Sequence, residues 1–103
     1  SAVQTLAAAT TVLANATTIQ INSVGAVVLT AAPTIADGQD GQIVIIINID
    51  SADAITFQDE TGLAGSNLRL SAATIALGPR DSLILQYNSS LGDWIQIGQT
   101  NAL

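Results

Sequence analysis

Apolar residues recur at every second position through most of this chain, and turn-forming residues separate the runs. Ile19 and Ile21 alternate with Thr18 and Gln20. Strand side chains alternate between faces, so a period of two marks strands that bury one face. Asn22, Ser23 and Gly25 form a turn, and Ala26 to Thr30 is a second run. Pro33 and Asp37-Gly38-Gln39-Asp40-Gly41 break that run, because Gly tolerates positive φ and Asp bonds its own backbone. The strongest strand is Ile43 to Ile49. Ile43, Ile45, Ile47 and Ile49 point one way, Val44 and Ile46 the other. With both faces apolar, this strand is expected to be central or sandwiched. After the turn Asp50 to Asp53 come Ile55 and Phe57, and after a polar loop, Asp59 to Asn67, come Leu68 and Leu70. Ile75 and Leu77 precede a turn at Gly78 to Asp81, and Leu83, Leu85 and Tyr87 line the next strand. Beyond the turn Asn88 to Asp93, the pattern places Ile95 and Ile97 inward and Trp94 and Gln96 outward. About eight strands at this spacing predict an all-β domain, a small antiparallel sandwich or barrel.

The first 16 residues differ. Val3, Leu6, Ala9, Val12 and Leu13 have partial helical spacing, but Thr10 and Thr11 disfavour a helix. The preferred reading is an extended N-terminal arm, 1–16, that docks Val3, Leu6, Val12 and Leu13 on a neighbouring subunit, with a β-domain over 17–103. The start at Ser1 fits either removal of an initiator Met or cleavage of a precursor. The segment lacks the positive region of a signal peptide, and no apolar run reaches the roughly 20 residues that span a bilayer. A weak echo links "VVLTAAP…DGQIVIIINIDSADAITFQ" with "TIALGPRDSLILQYNSSLGDWIQIG", compatible with duplication of a three-strand unit or with the common grammar of β-meanders.

Composition shifts the picture from chemistry to contact. Of 103 residues, 49% are hydrophobic but only 10% are charged, against a usual share of about 25%. A surface so poor in charge is expected to face protein, as in an obligate oligomer. The net charge of −6 argues against nucleic acid and anionic membranes. His, Cys and Lys are absent. That removes Ser-His-Asp and Cys-His catalysis, the usual zinc sites and a Gly-Lys phosphate loop.

Carboxylates remain. Asp59 and Glu60 are adjacent, and neighbours on a strand point apart, so they read as a solvated loop rather than as a glycosidase pair. Asp37, Asp40, Asp50 and Asp53 lie in turns that could converge on a calcium ion, but match no known calcium loop. No cofactor is expected. Asn15-Ala16-Thr17 and Asn88-Ser89-Ser90 match the glycosylation sequon, which has no meaning in a bacterial or phage context. Trp94 could stack on a sugar or anchor a partner, or pack at the barrel end or a subunit contact. Arg69 and Arg80, the only cations, are expected to pair with acids within or between subunits.

The marks "DGQ-G", "ITF-DE", "SNLRL" and "L-P-DSL-L-YN---G-W", spread over Pro33 to Gly98, resemble a β-domain of bacteriophage virion proteins. That domain occurs in capsid decoration (cement) proteins and in tail fibres. The resemblance implies a non-enzymatic structural virion protein, a homotrimer on the capsid exterior that binds the major capsid protein. The alternative is a tail- or head-fibre module that binds a receptor or glycan, with Trp94 and Tyr87 as its platform. A carboxylate-only hydrolase ranks last.

Overall fold

The computed structural model describes residues 2–102; Leu103, and Ser1 with the processing expected of it, lie outside the described residues. The protein is all-β, a curled half-barrel of nine strands in two mixed sheets. The strands are β1 (Gln4–Leu6), β2 (Thr18–Ser23), β3 (Val27–Val28), β4 (Ile43–Asn48), β5 (Ile55–Gln58), β6 (Leu68–Arg69), β7 (Thr74–Leu77), β8 (Ser82–Asn88) and β9 (Asp93–Thr100). The larger sheet has the order β1-β2-β4-β8-β9-β6, the smaller β3-β5-β7. Eight of the nine fall on the expected apolar runs. The ninth, β1, lies in the arm.

The pairing differs from the expected antiparallel arrangement. β4 with β8, β8 with β9, and β5 with β7 are antiparallel. β1 with β2, β2 with β4, β3 with β5, and β6 with β9 are parallel. Parallel neighbours need a crossover, and here the second sheet supplies it. The chain leaves β2, runs through β3 in the small sheet, and returns beside β2 as β4. It therefore coils between the two sheets; β8 then runs opposite to β4, and the β8–β9 hairpin turns the chain back to the direction of β4. The proposed three-strand repeat diverges at its last member. β5 crosses to the small sheet, whereas β9 stays beside β8.

One core fills the space between the sheets. Leu6, Val12, Ile19, Ile21, Val44, Ile46, Leu83, Leu85, Tyr87 and Trp94 meet Leu29, Ile55, Phe57, Ile75 and Leu77. Asn48 is one of several buried polar residues, and it stands at the junction of the two sheets. Its Nδ2 donates to the carbonyls of Asp53 and Leu77, both at 2.9 Å, and its Oδ1 accepts from Asp50 N at 3.0 Å. Every partner is satisfied, so a polar group at the sheet junction ties β4 to β7 rather than destabilising the core.

The faces of β9 are the reverse of those expected: Ile95, expected inward, lies opposite the outward-facing Gln86, and Gln96, expected outward, lies opposite the buried Leu85. Trp94 does not point outward. It sits opposite Tyr87 in register and is 0% exposed. The ladder slips between Ile84 and Leu85, which pair with Gly98 and Gln96. Ile97 is the extra residue of this β-bulge, and it is 53% exposed rather than inward. β4 is central, as expected, but not sandwiched. Val44, Ile46 and Asn48 are buried, while Ile43, Ile45 and Ile47 face away from the core.

Candidate interaction surface

The arm is extended, but it packs on its own chain. β1 runs beside β2 with Leu6 opposite Ser23, and Val12 forms a bridge with Ile35. The Gln4 side chain closes the segment into a loop, its Nε2 donating to Leu13 O at 2.9 Å and its Oε1 accepting from Leu13 N at 2.8 Å. Leu6 and Val12, expected to dock on a neighbour, belong to the subunit's own core. Val3 and Leu13 remain outside, 41% and 54% exposed.

Trp94 likewise belongs to the core. Its ring meets Tyr87 edge-on at 5.1 Å, and its Nε1 donates to Ala36 O at 3.1 Å. No sugar can stack on it without opening the fold. Burial, followed by the nearby Asp37 carboxylate, pushes the Tyr87 hydroxyl above its ordinary value.

The charged side chains are mostly spent on local architecture. Asp59 is not a solvated loop residue. Its carboxylate accepts from Leu70 N at 2.7 Å, Thr61 N at 3.0 Å and Thr61 Oγ1 at 2.7 Å. Burial pushes it up, but these bonds and the charge of Arg69 outweigh that and hold the carboxyl below the usual range. Glu60 braces the other half of the loop, accepting from Gly65 N at 2.9 Å and Asn67 N at 2.8 Å. Asp50 accepts from the N–H groups of Ala52 and Asp53, which lower its pKa. Asp40 is lowered by the N–H of Ser89. Asp81 accepts from Gly78 N and Ala102 N. Asp37, Asp40, Asp50 and Asp53 do not converge: among the described residues no three acidic side chains gather at a cation-sized site.

Both arginines bond within the chain. Arg69 Nε lies 2.7 Å from Asp93 Oδ2, and Arg80 Nη1 donates to Ile49 O at 2.5 Å. Arg80 sits in the turn before β8 with φ of +70°, left-handed for a non-glycine residue.

The two outer sheet faces differ in chemistry. On the small sheet the outward positions are Val28, Thr56, Gln58, Thr74 and Ala76, mostly small or polar. On the large sheet, Ile43, Ile45 and Ile47 of β4 lie in register with Gln86, Ile84 and Ser82 of β8. Ile84 and Gln86 lie opposite Gly98 and Ile95 of β9. Ile95 and Ile97 share a depression of about 380 Å³ with Gln86. Thr18 and Gln20 of β2 flank Ile45 and Ile47 on the other side. Six isoleucines thus stand on one open face.

No family model, curated protein or solved structure matches this chain. What it does rests on its own residues. No helix among the described residues is long and apolar enough to cross a membrane.

Proposed function

We propose that this protein is a structural building block, a homotrimeric decoration (cement) protein that sits on the exterior of a phage capsid, binds the major capsid protein and stabilises the head. The carrying observation is where the charges go. Seven of the acids and both arginines bond inside the subunit. Much of what is left for partners is aliphatic and neutral-polar surface, with Asp37, Asp40 and Arg80 as exposed charges, and this suits permanent protein contact better than turnover of a small molecule. Many weak copies of one contact then stabilise a shell together.

A fibre module that binds a glycan through aromatic stacking is less well supported, because Trp94 and Tyr87 are buried. The arm role changes in detail. Val3 and Leu13, with Val24 at a turn tip, are the apolar residues at this end that a capsid protein could touch. Electron cryo-microscopy of particles from the virus that encodes the chain tests the reading. Threefold density on the outer shell that fits the half-barrel supports it. Particles without the protein on the head overturn it.

A further inference from the structure

We propose that the open face of the large sheet, centred on Ile45 and Ile84, is where a second copy of this chain packs. The inference rests on the self-associating part of the reading above and adds the surface that mediates it. The chain carries eight acids against two arginines, so copies repel one another on approach. The outward positions of β2, β4 and β8 hold no ionisable side chain: Thr18, Gln20, Asn22, Ile43, Ile45, Ile47, Ser82, Ile84 and Gln86. At the β6–β9 margin the one charged pair, Arg69 with Asp93, neutralises itself. Asp40 stands at the edge of the face, lining the depression beside Ile95 and Ile97. Over the centre, on β2, β4 and β8, a like-charged copy can come close without bringing acid against acid.

Area and shape agree. At usual spacings of about 4.8 Å between strands and about 3.3 Å between residues, the face over β2, β4, β8 and β9 is roughly 20 Å square. Its flat outline is about 400 Å², shared between the isoleucines and neutral-polar positions, and a patch of a few hundred Å² is often functional. Ile43 and Ile97 are 41% and 53% exposed, with Ile45, Ile47, Ile84 and Ile95 half-buried between them. The isoleucines surround Gln86, which lies between Ile43 and Ile95 and donates to Gly41 O at 3.2 Å, and Thr18 and Gln20 border them on the β2 side. Gly98 keeps the centre level. A Cβ there would stand 3.3 Å from Ile84 Cδ1, and without it the Ile84 side chain lies across β9.

Sedimentation equilibrium of the full chain tests the face. The wild type is expected to sediment as an oligomer. Ile45→Asp and Ile97→Asp are expected to weaken association by roughly 100-fold or more, as for a charge buried at the centre of an interface. Val24→Asp adds the same charge at a position 94% exposed on a turn tip, and is expected to leave the mass unchanged. Should Ile45→Asp fail to fold by circular dichroism, Ile97→Asp carries the test, because its site is an exposed bulge outside the regular ladder. Folded Ile variants that keep the wild-type mass overturn the face while leaving the trimer reading standing. A wild type that stays a single chain at every concentration overturns the face and the trimer together, and attachment to the head is then scored separately from particle images.

Discussion

Replacing Trp94 with alanine should cost this protein a large part of its stability. Trp94 is fully buried, pairs edge-on with Tyr87 at 5.1 Å and donates to Ala36 O at 3.1 Å. Truncating a buried Trp to Ala costs about 3–5 kcal/mol, including the cavity left behind. The lost ring contact contributes about 0.5–1.5 kcal/mol of that kind, and the orphaned Ala36 carbonyl adds about 1 kcal/mol. These terms overlap, so the expected loss is about 4 kcal/mol, against a total of roughly 5–15 kcal/mol for a domain. For a chain of this length that corresponds to a fall in Tm on the order of 20 °C. Thermal unfolding followed by far-ultraviolet circular dichroism measures it, at fixed protein concentration because association shifts Tm. Trp94→Phe keeps a ring against Tyr87 and should lose about 1–2 kcal/mol. A Trp94→Ala protein within about 1 kcal/mol of wild type would refute the assignment of Trp94 to the core. It would also restore Trp94 as a candidate ligand platform.

Other perturbations follow from the same packing. Deleting residues 1–13 removes Leu6 and Val12 from the core, at about 1.5–3 kcal/mol each. The truncated chain should unfold early in a urea titration, and unchanged stability would show that the arm is a free appendage. Gly38→Ala puts a Cβ 2.8 Å from the Trp94 ring and 2.7 Å from Gln42 Oε1. Gln42 is anchored to Gln39 N and Ala14 O and cannot swing aside freely, so a loss of about 1–3 kcal/mol is expected in the same titration. Acid should unfold the protein. The carboxyls of Asp40, Asp50 and Asp59 are lowered in the fold, so between folded and unfolded values the unfolded chain binds more protons. Their contribution is complete above the unfolded value of about 3.9 and disappears as pH falls through the folded values. A Tm that stays flat down to pH values of about 2 would contradict this.

The strands were legible because their rule is local. Alternation at Ile19-Ile21, Val44-Ile46 and Leu83-Leu85-Tyr87 fixes which side chains share a face, whatever the strand pairs with. The partners were not legible. The parallel placing of β4 beside β2 depends on residues 24–42 crossing to the other sheet, a long-range event with no local signal. The phase of β9 is not legible locally, because both alternate sets, Trp94 with Gln96 and Ile95 with Ile97, contain large apolar residues, and the register that sets Trp94 against Tyr87 is a long-range property. The role of Asp59 and Glu60 was hidden for a related reason: their partners, Leu70, Gly65 and Asn67, lie in the loop's return path. Conversely, the apolar double face of Ile43 to Ile49 was read correctly from sequence. Its outward half, with Ile43 exposed and Ile45 and Ile47 half-buried, faces away from the core and forms a candidate contact surface.

A chain with so few charges and an open isoleucine face is suited to being held against copies of itself. Sedimentation equilibrium of the unmodified protein across micromolar to millimolar concentrations measures this. The expected mass is about three times the 10.4 kDa of one chain. A stable species of 10.4 kDa at every concentration would contradict it.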